Sequence, residues 1–178
     1  MRVISGQARG LKLIAPDGLA TRPTTDRVKE SMFTIISAHL PAQNILDLFS
    51  GSGALGIEAL SRGSKLGVLV ETDRAALNDL NQNLERSRQI QKAEVVAGDA
   101  FTYLSRTSKK FDIIFLAPPY NKGLLTRAVK EIAQNDLLTP DGIIVCEGEV
   151  GGEAPTDEYF NILKQAKYGK TMVYILGR

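Results

Sequence analysis

The chain has 178 residues, 43% of them hydrophobic, enough to bury the core of one α/β domain and too few for two ordinary ones. No run approaches the roughly 20 apolar residues a membrane helix needs, and the basic, polar N-terminus is unlike a secretory signal, so a soluble cytoplasmic protein is expected. A single cysteine, Cys146, excludes an internal disulfide, and a single histidine, His39, leaves a zinc site without ligands, so both are read as structural and no metal is expected.

In chain order, Arg2–Ile4 and Leu11–Ile14 read as two short strands joined through Gly6 and Gly10, a small β-hairpin extension. Thr24 or Thr25 can cap a helix whose apolar residues Val28, Met32, Phe33, Ile35 and Ile36 repeat at helical period until about Leu40–Pro41. Short apolar runs then alternate with helical stretches. Ile45–Phe49, Gly67–Val70, Glu94–Val96, Phe111–Leu116 and Ile143–Cys146 are predicted strands, continuous enough in hydrophobicity to be parallel and buried on both faces. Helices are predicted over 54–62, 73–87, with Asp73 as N-cap, 100–106 and 123–135. The alternation is that of a doubly wound sheet between two helical layers. After Glu147 comes a stretch rich in Gly, Glu and Pro. Phe160–Lys164 and Thr171–Leu176 then close the sheet as an antiparallel pair, with Tyr168-Gly169 at the turn.

Asp47-Leu-Phe49-Ser50-Gly51-Ser-Gly53-Ala-Leu-Gly56 follows the first buried strand and opens a helix. Glycines there permit a tight turn and close approach of backbone to a ligand, although an ordinary strand-to-helix turn uses them too. Glu71, at the end of the next strand, can accept both hydroxyl hydrogens of a ribose. So far NAD and S-adenosylmethionine fit equally. Asp47, inside the strand before the loop, suits water or an ammonium better than a pyrophosphate and favours the sulfonium cofactor, unless it caps backbone amides. Asp99, in Gly98-Asp99-Ala100 after the third strand, can accept from an adenine amine or serve as an N-cap.

The fourth strand runs into Ala117-Pro118-Pro119-Tyr120 at the same edge. Two prolines stiffen the turn and leave its carbonyls exposed, and Tyr120 offers a face on which an extruded base can stack. Residues 1–30 hold Arg2, Arg9, Lys12, Arg22, Arg27 and Lys29 against Asp17, Asp26 and Glu30, a local excess of positive charge suited to phosphates. Arg22-Pro23-Thr24 could also reach the cofactor or the base.

These residues carry a resemblance. The run 47–56, Glu71, residues 98–100 and residues 117–120 resemble class I methyltransferases with the (Asp/Asn)-Pro-Pro-(Tyr/Phe) motif of amino-group methylation. Arg2-Val-Ile-Ser-Gly6-Gln-Ala-Arg9-Gly10, Arg22-Pro-Thr-Thr-Asp-Arg27-Val-Lys-Glu30-Ser-Met-Phe33 and Tyr168-Gly169-Lys170-Thr171 are similar to the RsmD family of small-subunit ribosomal RNA guanine-N2 methyltransferases. The resemblance spans essentially the whole chain. It implies a Rossmann-like three-layer sandwich, with a mostly parallel seven-stranded sheet and one antiparallel strand, in one domain over 1–178: an extension at 1–22 and a core at 23–178. It further implies S-adenosylmethionine held by Asp47, Phe49, Ser50, Gly51, Gly53, Glu71, Asp99 and Ala100. Ribosomal RNA, or the small subunit, would be met by Arg2, Arg9, Arg22 and Arg27, and a monomer is expected.

One position departs from the family pattern: Ala117 stands where aspartate or asparagine is usual, so the reacting amine loses an acceptor. By analogy with oxyanion-hole donors, such a loss costs on the order of a hundred- to a thousandfold in rate. The carbonyl of Ala117 or Pro118, or nearby Asn121, is expected to hold the amine well enough for slow turnover. The alternatives are a module that binds RNA without catalysis, an amino methyltransferase acting on DNA or a protein amide, and an NAD-dependent oxidoreductase.

Overall fold

The computed structural model describes residues 1–15, 24–120 and 123–178. Its elements are α1 (Asp26–Ile35), β1 (Asn44–Asp47), α2 (Ala54–Ser61), β2 (Leu66–Glu71), α3 (Arg74–Arg86), β3 (Ala93–Ala97), α4 (Ala100–Arg106), β4 (Phe111–Leu116), α5 (Leu124–Gln134), β5 (Leu138–Glu149), β6 (Asn161–Tyr168) and β7 (Thr171–Gly177). The strands form a seven-stranded sheet in the order β3-β2-β1-β4-β5-β7-β6. All neighbours are parallel except β7, which runs antiparallel to both β5 and β6.

Alternation along the strands divides the core. Leu46, Val70, Ile114, Leu116, Ile144, Cys146 and Leu176 point to the face covered by α4 and α5. Ile45, Ile113, Phe115, Ile143, Val145, Val173 and Ile175 point to the opposite face, against α1 and α2. Phe33 of α1 stacks on Phe115 with ring centroids 5.6 Å apart. A further cluster joins α2 and α3 to Val3 and Leu13 of the N-terminal segment. The result is the expected three-layer sandwich with one antiparallel strand. β3, however, is an edge strand and only partly buried, because among the described residues no strand pairs with its outer side.

The helices follow the sequence signals closely. Thr25 caps α1 by accepting from Val28 N, and Asp73 caps α3 by accepting from Ala76 N. α1 ends sooner than predicted, at Ile35, and a 3₁₀ turn over Ser37–His39 carries the chain to Pro41. β5 is longer than the predicted Ile143–Cys146, because Leu138 already pairs with Phe111 before a register shift.

The N-terminal segment departs from the hairpin expectation. Its pairing is short, one antiparallel bridge between Arg2 and Lys12 flanked by Val3 N donating to Leu11 O and Leu13 N donating to Met1 O, both at 2.9 Å. The reason is competition for the backbone: Ile4 N and Ser5 N donate to the Glu58 carboxylate at 2.9 and 3.1 Å, and Ile14 N donates to Asn83 Oδ1 at 2.8 Å. Glu58 is fully buried and also meets Lys29 Nζ at 3.2 Å and Arg62 Nε at 2.9 Å. Lys29, expected to reach phosphates, is therefore a core residue: it donates to Arg2 O at 2.6 Å, and burial draws its pKa below the usual lysine value.

Gly6 makes this docking possible. Its φ is +87°, and a Cβ there would lie 1.9 Å from Ser61 O, a backbone atom that cannot swing aside. Gly6→Ala is expected to cost about 2 kcal/mol or more through left-handed strain and overlap. Urea unfolding should show a lowered midpoint at unchanged slope; an unaltered midpoint would mean that the segment docks without needing this approach.

Candidate active site

The carboxyl ends of the parallel strands share one edge, and strand order reverses between β1 and β4, where open α/β sheets bind ligands. The loop after β1 lies there. Ser50 ties it to the sheet: its amide donates to Val70 O at 3.0 Å, and its hydroxyl donates to Asp47 O and Val70 O. Gly51 and Gly53 take φ of +55° and +87°. A Cβ on Gly53 would come within 2.4 Å of the Leu80 side chain, and one on Gly56 within 2.6 Å of Leu69. The loop glycines thus serve tight turning and helix–sheet packing together.

Three carboxylates frame this loop. Glu71 Oε2 accepts from Gly51 N at 2.7 Å, and Oε1 accepts from Thr72 N and Asp73 N, both at 2.8 Å, so its orientation is fixed at the end of β2. Asp99 caps α4 through Oδ1, which accepts from Thr102 N at 2.8 Å and from the Thr102 hydroxyl at 3.2 Å; Ala100, next to it, is buried. Asp47 is the buried one. Its Oδ2 accepts from Gly56 N at 2.9 Å, the amide-capping bond anticipated as an alternative, but Oδ1 has no hydrogen-bond partner. Burial, with Glu71 nearby, raises its pKa to about 7. An orphaned buried carboxylate oxygen is costly unless something donates to it, and an ammonium or an ordered water would do so. Beside the loop, Phe49 meets Phe101 edge-on at 6.2 Å, and Arg127 lies over the far ring at 3.7 Å.

Beyond β4, Pro118 is buried, Pro119 exposed and Tyr120 half-buried. Ala117 packs on the cluster of Ile113, Phe115, Val145 and Val173. Asn121 and Arg22 lie outside the described residues. Sequence reasoning missed Glu147. It is 5% exposed near the end of β5, accepts from the Thr24 hydroxyl, and meets Tyr120 Oη at 3.3 Å; Tyr120 Oη is also 3.4 Å from Thr171 Oγ1. A cleft of about 220 Å³ opens on one side, lined by Pro118, Pro119, Tyr120, Leu125 and Glu147. A second, of about 230 Å³, opens on the other, lined by Thr25, Arg27, Glu147, Tyr168, Lys170 and Thr171. The signal available was a lone carboxylate closing an apolar run at the edge that already held Asp47, Glu71 and Asp99.

Of the cationic residues, Arg2, Arg9 and Arg27 are exposed, and Arg2 Nε lies 3.8 Å from Asp26 Oδ2. His39 is exposed on its 3₁₀ turn, and the Cys146 thiol is buried with its pKa pushed upward. Among the described residues no group of three His, Cys, Asp or Glu could hold a metal ion, and no helix is long and apolar enough to cross a membrane.

Sheet order, the single antiparallel strand, the loop after β1 and the acidic residues at successive strand ends together define a class I methyltransferase. A profile of the family described as conserved hypothetical protein 95 matches residues 1–177. Ribosomal RNA small subunit methyltransferase D of Escherichia coli K12 is 39% identical over 156 residues, covering 88% of this chain and 78% of that one. The putative rRNA methyltransferase YlbH of Bacillus subtilis is 40% identical over 179 residues, 98% of this chain and 97% of the other. The solved structure of the putative methyltransferase yhhF from Escherichia coli superposes with a TM-score of 0.88 at 36% identity, covering 100% of this chain and 97% of that one. The chain belongs to this family, the RsmD methyltransferases.

Asp47 gives the site a pH signature. Its pKa of about 7 lies above the ordinary 3.8, so between these values the folded protein keeps a proton that the unfolded chain has released. Its contribution to stability is full below the lower value and is lost as pH rises through the upper one. The stability of the wild type relative to Asp47→Asn should therefore fall from about pH 5 to about pH 8 in urea titrations. A difference independent of pH would mean that Asp47 is ionised throughout.

Proposed function

We propose that this chain transfers the methyl group of S-adenosylmethionine to the exocyclic N2 amine of a guanine in small-subunit ribosomal RNA. The observation that carries the reading is convergence: Asp47, the glycine loop, Glu71, Asp99 and the Ala117–Tyr120 turn all lie along one edge of the sheet. Relatives named as ribosomal RNA methyltransferases over most of the chain support the substrate class.

Each residue has a role in this reading. Glu71 accepts the ribose hydroxyls, and Asp99 uses its second oxygen for the adenine amine. The unpartnered Asp47 Oδ1 takes the methionine ammonium or a water bound to it. Phe49, Ser50, Gly51, Gly53 and Ala100 form the cradle. When bound, the cofactor supplies an electrophilic methyl group on a sulfonium. An exocyclic amine is a poor nucleophile because its lone pair is delocalised into the ring, so the protein must accept its hydrogens and orient it. Pro118 and Pro119 keep their turn rigid, and Tyr120 stacks on the base. Arg2, Arg9, Arg22 and Arg27 meet phosphates, and the chain acts as one unit, an extension at 1–22 and a core at 23–178.

Tritiated methyl transfer to small subunits that lack the modification tests the reaction, and incorporation is expected. S-adenosylhomocysteine at a hundredfold excess over its Kd should stabilise the fold by about 2.7 kcal/mol, and NADH should not. Glu71→Ala is expected to weaken that binding about tenfold to a hundredfold, the loss of hydrogen bonds to a charged acceptor. Incorporation absent for both the wild type and Ala117→Asp would instead favour a module that binds RNA without turnover, the reading that Ala117 itself suggests.

A further inference from the structure

Ala117 leaves the reacting amine without the acceptor side chain that the motif normally brings, yet a carboxylate stands one strand away. β4 and β5 are parallel and in register through Leu116 and Cys146, and the next residues are Ala117 and Glu147. By strand alternation both follow Phe115 and Val145 onto the α1 face, and adjacent strands lie roughly 4.8 Å apart. Glu147 is 5% exposed, and it lines both the cleft beside the Pro118–Tyr120 turn and a second cleft bounded by Thr25, Arg27, Tyr168 and Lys170. Its carboxylate is aimed rather than loose: the Thr24 hydroxyl donates to one oxygen, and Tyr120 Oη lies 3.3 Å from the other. The mechanism derived so far gives this buried acid no task.

We propose that Glu147 supplies the carboxylate that Ala117 lacks, receiving the Watson–Crick edge of a guanine extruded onto Tyr120. This rests on the amino-methyltransferase reading above. Guanine presents N1–H and N2–H side by side, two donors for one carboxylate, whereas adenine and cytosine place an acceptor nitrogen beside their amine. The site therefore selects guanine as it activates it. In the transfer, the N2 lone pair forms the bond to the methyl carbon. The carbon–sulfur bond breaks, its electron pair stays on sulfur, and the surplus proton on N2 passes to Glu147 and then to water.

The test measures single-turnover methyl transfer to small-subunit RNA by the wild type, Glu147→Gln, Ala117→Asp and the double variant, alongside S-adenosylhomocysteine affinity. Glu147→Gln should slow transfer on the order of a hundredfold with cofactor affinity nearly unchanged, and adding Ala117→Asp should recover most of the loss. The wild type should bind RNA carrying inosine at the methylated position about tenfold more weakly than guanine RNA, and Glu147→Gln should bind both alike. An active wild type whose Glu147→Gln form is equally fast, or is slow without rescue, overturns the role of Glu147 and leaves the methyltransferase reading intact. Transfer seen only with Ala117→Asp does the same. No transfer by any form, with or without cofactor binding, removes both.

Discussion

The fully buried Lys29–Glu58 pair is the constraint on which much of this molecule rests. Glu58 sits in α2, which follows the loop after β1, and binds α1 through Lys29 and the N-terminal segment through Ile4 N and Ser5 N. Two charges taken out of water are expensive, and they are tolerated because hydrogen bonds saturate them from several sides. The node fixes α1 against the sheet. The residues that begin α1 then determine where Thr24 can reach, and Thr24 reaches Glu147. A chain of contacts thus runs from the docked N-terminus to the end of β5.

Function follows from where parallel strands end. Each strand carries a different polar group to the same edge: Asp47 from β1, Glu71 from β2, Asp99 just past β3, the proline turn from β4 and Glu147 from β5. Their environments differ sharply. Asp47 is buried with an orphaned oxygen, Glu71 is pinned by amides, and Asp99 is exposed at a helix N-terminus. In the proposed reading these similar side chains serve as an ammonium acceptor, a diol acceptor and an amine acceptor along one line.

Much of this was legible in the sequence, because strand and helix periods are local. β4 and α4 begin and end at the predicted residues, and Asp73 caps where its spacing says it should. What failed depended on distant partners. The hairpin strands shortened to a single bridge because Glu58 and Asn83 claim the amides of Ile4, Ser5 and Ile14 across more than fifty residues of chain. Lys29 looked like one more surface cation until its helical face turned out to meet Glu58. Leu138 was not assigned to β5, whose predicted span began at Ile143, because its pairing with Phe111 comes through a register shift that no local pattern announces. Glu147 read as the start of a loop, since nothing near it in sequence reveals Thr24 or Tyr120.

The in-register pairing of β4 with β5 has a wider meaning. Residues that stand shoulder to shoulder on parallel strands occupy nearly the same place with respect to a ligand above the sheet edge. A chemical group can therefore migrate from one strand to its neighbour while the ligand's surroundings stay almost constant. A motif of this kind describes a position in space that more than one stretch of chain can fill. Judging such a chain by its motif letters alone would miss the duty that a neighbouring strand is placed to perform.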